Sequence, residues 1–301
     1  MGADMSGAAT TIDAGLIPAG ACDCHMHVFG TVDDYPPAAV RGYTPRPASF
    51  ADYRTMARGL GLSRMVLVQP SAYGVDNRCM TDTLRLGDLT VRAVAVIDET
   101  TPDSDLDAWH GLGVRGIRLN LASSAVPSVE RARATLRGAA ARVSRLGWHI
   151  QIFAAPALLV PLLEDVAGLT VPVVIDHMGA AHAAAGVGQP VVAGLIALLR
   201  DEKVWVKLSG GTRVAGSPDE FREALPIMRA LIAANPARLV WGTDWPHIGP
   251  HVPGGTDLAT YLPIDNAGLL RTLVEACDGD ATLIRRILAD NPGRLYEFGE
   301  A

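Results

Sequence analysis

Eight short apolar runs, most of them preceded by a helix-like segment, constrain this chain more than any other feature. They cover residues 23–29, 64–70, 92–98, 116–121, 149–154, 171–177, 204–210 and 238–244. Runs of this length suit strands, and the segments between them carry helix boundaries. Ser49 starts a helix reaching about Gly59 or Gly61, and Ser128 opens an Ala- and Arg-rich segment that stops at Gly147, a natural left-handed terminator. Ser217-Pro218-Asp219-Glu220 sets a serine N-cap before Pro at the first helical position, with Glu three residues after the cap. Strands alternating with helices pair in parallel, and eight such units predict an α/β fold, a (β/α)8 TIM barrel with its active site at the C-terminal ends of the strands. A doubly wound open sheet is the competitor, but no GxGxxG follows the first run.

A chain of 301 residues, 49% hydrophobic and 19% charged, has enough apolar material for one large core. We expect a single domain over residues 21–301 with an N-terminal extension over 1–20. A net charge of −6 argues against nucleic acid, which needs a basic surface. The most apolar stretch, residues 154–163, is short and broken by Pro156 and Pro161, so no membrane span is expected. Residues 1–20 lack a basic segment followed by a continuous apolar core, so no signal peptide is expected. Cys22, Cys24, Cys79 and Cys277 form no CxxC pair and read as structural thiols of a cytoplasmic protein. Two connections are long and rich in Gly or Pro, residues 30–48 and 246–263, and both are expected to cover the site.

The polar residues cluster at the ends of the runs. In Asp23-Cys24-His25-Met26-His27-Val28-Phe29 two imidazoles stand two residues apart, on one face of a strand and roughly 6.5 Å from each other along it. Alternation puts Asp23, His25 and His27 on the inner side, with Cys22 and Cys24 facing the helices. It likewise turns Arg118 and Asn120 inward on the fourth run, groups Val173, Ile175 and His177 on the sixth, and groups Val240, Gly242 and Asp244 on the eighth. Three imidazoles and a carboxylate thus meet at one mouth, a stronger signal than any one motif. Alone, His177 reads as well as a structural histidine, Asp244 as a turn residue before Trp-Pro, and Arg118 as a partner for a core carboxylate. Lys207 is expected to extend to solvent. His149, at a strand start, reads as structural, and His110 and His182 as surface residues. His247 and His251 lie just beyond Asp244, where they could belong to the loop or contact substrate.

Taken together, these residues resemble the amidohydrolase superfamily, in its amidohydrolase family 2 branch. The likeness is carried by residues 23–30, by Val114-Arg115-Gly116-Ile117-Arg118-Leu119-Asn120, by Ile175-Asp176-His177-Met178-Gly179, by Trp241-Gly242-Thr243-Asp244-Trp245-Pro246-His247 and by Asn291-Pro292-Gly293-Arg294-Leu295-Tyr296. Arg41-Gly42-Tyr43-Thr44-Pro45 and residues 68–77 are similar to loops of the 2-pyrone-4,6-dicarboxylate lactonase group and related lactone hydrolases. The resemblance implies that His25, His27 and His177 polarise a lactone carbonyl and that Asp244 takes a proton from water. It also implies that Tyr43, Ser71, Arg118, Arg213 and His247 contact substrate. Two departures stand out. Gln151 falls where many metal-dependent relatives carry a His ligand, which argues against a binuclear centre. Ser124 falls where the pyrone-dicarboxylate enzymes carry a further Arg, which favours a lactone with one anionic group.

The expected function is hydrolysis of a small anionic lactone by Asp244-activated water; the alternative is zinc-dependent decarboxylation of an aromatic or muconate-type acid. A third class, a non-catalytic ligand-binding barrel, would require that the bound ligand never be transformed. The cofactor stays open at this point: one divalent ion, Zn2+, held by His25, His27, His177 and Asp244, or direct donation from the imidazoles without metal. The expected partner is a small anionic lactone or carboxylate, with a homo-oligomer also considered. The roles of Lys207, Gln151 and His251 are not assigned by the sequence.

Overall fold

The computed structural model describes residues 14–86, 90–122, 128–251 and 254–299. Eight parallel strands follow one another around a single sheet in chain order: β1 (Cys22–Met26), β2 (Arg64–Val68), β3 (Val91–Ala95), β4 (Val114–Asn120), β5 (His149–Phe153), β6 (Val173–Ile175), β7 (Trp205–Leu208) and β8 (Leu239–Trp241). Between them run α1 (Phe50–Gly59), α2 (Arg78–Leu84), α3 (Asp103–Leu112), α4 (Val129–Val143), the short α5 (Pro156–Leu159) and α6 (Leu163–Ala167), α7 (Pro190–Arg200), the single-turn α8 (Gly211–Val214) and α9 (Leu225–Ala234). Helices α10 (Asn266–Ala276), α11 (Ala281–Arg285) and α12 (Asn291–Leu295) follow the last strand. A parallel bridge between Met26 and Trp245 closes the barrel. At that seam His27 N–H donates to the Trp245 carbonyl at 2.9 Å, and Asp244 N–H donates to the His25 carbonyl at 2.8 Å.

The local signals act as expected in two helices. Ser49 and Asp52 cap each other's backbone at the start of α1, and Ser128 accepts from Arg131 N–H at the start of α4. After α4 a 3-10 turn leads to Gly147, at φ 67. The third signal is corrected. Ser217 makes no side-chain cap, and Pro218–Ala224 forms a 3-10 segment with Glu220 outside helical angles. A nearby backbone donor, Gly216 N–H, is satisfied by Glu223 Oε2 instead, and the α-helix waits until Leu225.

The inside of the barrel departs from simple alternation at three places, one of them on β4, where the register against β3 shifts between Val114 and Gly116. Cys22 and Cys24 pack with Val66, Val68, Val94, Val174, Val240, Trp205 and Tyr296 in a cluster separate from the main core. This is the interior filling, where each buried valine contributes about 1.5–3 kcal/mol. Asp23 instead reaches outward to Tyr53 of α1. The expected grouping of Asp23 with His25 and His27 is therefore wrong. The β1–β2 register shifts between Asp23 and Met26, and that irregularity turns His25 and His27 into the mouth. On β6, Val173 and Ile175 belong to the outer core and Val174 to the interior cluster. Asp176 is thus the residue in phase with the interior, and His177 comes inward by adopting φ 51 just after the strand. From Gly116 onward the fourth strand alternates as expected, and so does the eighth.

The two long connections meet over the mouth. Phe29 bridges Ala48, Thr44 bridges Leu258, and Ile248 bridges Tyr261. All four cysteines are free and buried. Among the described residues no helix is long and apolar enough to cross a membrane. Residues 1–13 of the expected extension, and Ser124, lie outside the described residues.

Candidate active site

Three imidazoles surround one carboxylate oxygen. His27 Nε2 lies 3.5 Å, His25 Nε2 3.6 Å and His177 Nε2 3.9 Å from Asp244 Oδ1. All four side chains are buried, and neither Asp244 Oδ1 nor His25 Nε2 has a hydrogen-bond partner. The far nitrogens are held from behind. His27 Nδ1 lies 2.8 Å from the Val68 carbonyl, and His177 Nδ1 2.9 Å from Ser209 Oγ. Glycines make room for the rings. A Cβ on Gly242 would stand 2.7 Å from both Cβ and the backbone N of His25, and one on Gly210 would stand 2.6 Å from His177 Nδ1.

Beneath this group lies a charged layer that the sequence reading misplaced. Lys207, expected to reach solvent, is completely buried. Its strand points it into the barrel, where Nζ donates to Gln151 Oε1 at 2.7 Å and sits 3.5 Å from Asp176 Oδ1 and 3.3 Å from His25 Nδ1. Gln151 Nε2 donates to Asp176 Oδ2 at 2.8 Å. Burying an ammonium costs several kcal/mol unless an anion and further acceptors compensate it, and Asp176 with Gln151 does so. Asp176 had not been assigned a role; its phase with Val174 on β6 was the available signal. His149 is structural as expected, packed edge-on to Tyr296 near the start of β5.

Electrostatics follow from this dryness. Burial alone would raise the Asp244 carboxyl, but Arg213 first, then His177 and His27, hold it well below the usual carboxylate range. Burial of Asp176 is likewise outweighed, first by Lys207 and then by His25. Burial lowers all three imidazoles, His177 to about 4. At neutral pH the set is therefore neutral rings around ionised carboxylates.

The mouth is bordered by several of the remaining expected residues, with His247 the exception. Arg213, from α8, donates through Nε to Asp244 Oδ2 at 2.7 Å. Arg118 is buried, its Nε has no hydrogen-bond partner, and Asp176 Oδ2 lies 3.6 Å away. The two guanidiniums sit 5.8 and 5.9 Å from the ring centre of Phe153, which also meets His177 edge-on. Phe153 was missed, although it follows His149 and Gln151 in inward phase. Tyr43 is buried beside Ser71, and burial pushes its phenol up to about 12. His251 packs edge-on to Tyr43 and so belongs to the cover. His247 is drawn aside, its Nε2 2.8 Å from Asn266 Oδ1.

Could the set hold a metal? His25, His27 and Asp244 offer ligand atoms all within 4.8 Å of one another. Separations of 3.5–3.6 Å at an orphaned carboxylate oxygen are close to the ~3.4 Å between ligands of a four-coordinate zinc. His27 meets the further condition that its other nitrogen bind a carbonyl. By position the residues fit one divalent ion. Gln151 on β5 is bonded to Lys207 and Asp176 and offers no imidazole for a second.

Comparison with known proteins finds relatives along nearly the whole chain. The chain is 34% identical over 289 residues to a 2-pyrone-4,6-dicarboxylate hydrolase of Comamonas testosteroni, covering 93% of this chain and 91% of that one. It is 34% identical over 286 residues to a 4-sulfomuconolactone hydrolase of Rhizobium radiobacter, with the same coverages. A Pseudomonas putida crystal structure named for 2-pyrone-4,6-dicarboxylic acid hydrolase superposes with a TM-score of 0.79 at 32% identity, over 94% of this chain and 99% of that one. The profile of the Amidohydrolase family matches residues 22–298. With that match across the whole barrel, and with its imidazoles and Asp244 gathered at the C-terminal mouth, the chain belongs to the amidohydrolase family.

Proposed function

We propose that this protein hydrolyses a small anionic lactone, with Asp244 as the base for the attacking water. The observation that carries the reading is Asp244 Oδ1, buried, unpartnered and facing three imidazole Nε2 atoms. Lactone opening needs a base within reach of a water and donors where the carbonyl oxygen gains charge. Asp244 takes the proton from water as its oxygen bonds to the carbonyl carbon. The ring C–O bond of the adduct then breaks, and the proton passes to the departing alkoxide or enolate oxygen. The imidazoles face the carbonyl oxygen, and a divalent ion held by His25, His27, His177 and Asp244 would supply Lewis-acid polarisation there. Arg118, buried and with no hydrogen bond to its Nε, binds the substrate's carboxylate or sulfonate, with Tyr43 and Ser71 beside it and Arg213 bordering the base. The named activities of the relatives support ring opening over decarboxylation.

The test is a spectrophotometric panel of 2-pyrone-4,6-dicarboxylate, 4-sulfomuconolactone and uncharged lactones, each with chelator or with added Zn2+. Turnover of a charged lactone is expected. Arg118→Met should cut its kcat/KM about 10–150-fold, the equivalent of one charge-assisted contact of ~1.5–3 kcal/mol. No opening of any anionic lactone at any metal loading overturns the reading.

A further inference from the structure

We propose that Lys207 is a positioning residue that determines which nitrogen of His25 carries the proton, so that His25 presents an N–H at Nε2 to the reacting oxygen. What that N–H is used for rests on the lactone-opening reading; where the proton sits does not.

The argument is a count of donors and acceptors in a dry space. A lysine ammonium has three N–H donors and no acceptor. Lys207 Nζ faces three acceptor atoms, Gln151 Oε1 at 2.7 Å, His25 Nδ1 at 3.3 Å and Asp176 Oδ1 at 3.5 Å. The side chain is completely buried, so no bulk water replaces a lost partner. Gln151 is oriented by its own donation to Asp176 Oδ2, which turns its carbonyl oxygen to the ammonium. His25 Nδ1 also lies 3.4 Å from Asp176 Oδ1, so distance alone leaves both tautomers open. Suppose Nδ1 carried the proton. It would donate to Asp176, and one N–H of Lys207 would then point at another N–H, a buried charged donor left unsatisfied. With the proton on Nε2, Nδ1 and Gln151 Oε1 both accept from Lys207, and the ammonium keeps its ion-pair contact with Asp176 Oδ1, which has no hydrogen bond of its own.

The consequence at the mouth is an asymmetry within one strand. His27 Nδ1 faces only a carbonyl, that of Val68, so it must donate there and leave a lone pair on Nε2. His25, two residues away, shows the opposite edge to the same space. One ring donates to the carbonyl oxygen while the other accepts from water. In this state His25 is an oxyanion donor, and a metal could use it as a ligand only by displacing the Lys207 contact.

Long-range 1H–15N spectra of histidine-labelled protein, with His25 assigned by its loss in His25→Gln, test the assignment directly. A lone-pair shift at Nδ1 and an N–H shift at Nε2 are expected; the reverse pattern in the wild type overturns the proposal. Lys207→Met keeps the stem and removes the donors. It should move the His25 proton to Nδ1 and lower kcat about 10²–10³-fold, the cost of one oxyanion donor, with KM nearly unchanged. An unchanged tautomer in a folded Lys207→Met protein overturns the proposal, and if that variant does not fold, the wild-type spectrum decides alone. The expected tautomer without turnover of any anionic lactone would sink the lactone reading and support the role of Lys207.

Discussion

Arg213 Nε donates to Asp244 Oδ2 at 2.7 Å, and the other oxygen of the same carboxylate faces His25, His27 and His177 without a hydrogen bond. The pair divides Asp244 between two tasks. One oxygen is anchored by a guanidinium that keeps the group ionised; the second is left for water.

Asp244→Asn separates those tasks, because the amide keeps the shape and cannot take a proton. Arg213 retains 26% of its side-chain exposure, so solvent can compensate its lost partner and the fold should survive. We expect kcat to fall about 10²–10⁴-fold with intact circular dichroism. Activity within threefold of wild type would remove Asp244 from the role of base.

Gly242 and Gly138 offer a matched contrast. At Gly242 an added methyl meets the backbone and Cβ of His25 at 2.7 Å, whereas at the exposed Gly138 of α4 nothing lies within 4 Å. Gly242→Ala should cost about 1–3 kcal/mol in denaturant unfolding and displace His25, lowering turnover. Gly138→Ala should stabilise by about 0.5–1 kcal/mol and leave turnover alone. Equal stabilities for the two variants would contradict this packing.

Stability should fall with acid in part through His149. Burial first, then Lys207, holds its imidazole down to about 3, against about 6.5 in an unfolded chain. Below pH 6.5 the unfolded state takes up a proton that the folded state refuses. The group's contribution is therefore present above pH 6.5 and lost as pH falls towards 3, at up to about 1.4 kcal/mol per pH unit. Urea unfolding of wild type and His149→Gln between pH 7 and 4 checks this. The variant should show a slope shallower by about one proton, and parallel slopes would count against a neutral buried His149.

Much of the site was legible because a barrel brings strand ends together wherever they lie in the chain. His25, His27, His177 and Asp244 could be named from eight runs and the residues closing them. Two of the detailed arguments nevertheless failed. Period-two alternation assumes a regular strand, and β1 slips register between Asp23 and Met26 while His177 leaves β6 with a positive φ. His177 was therefore placed inside by a parity that the strand does not keep. Lys207 was misjudged for a different reason. A lysine inside a core is costly unless its counter-ion is known, and Asp176 lies on another strand.

What the amino-acid order determines here is local and periodic: where strands and helices begin, that eight βα units follow one another, and which side chains stand at their ends. Pairings between residues far apart decided the rest. The buried layer of Lys207, Gln151 and Asp176 exists because three neighbouring strands point inward at the same height. The unpartnered oxygen of Asp244 exists because β8 closes against β1 and α8 delivers Arg213 to its other side. Those contacts depend on burial and on the distance between separate elements, and neither quantity is written in any one segment of the chain.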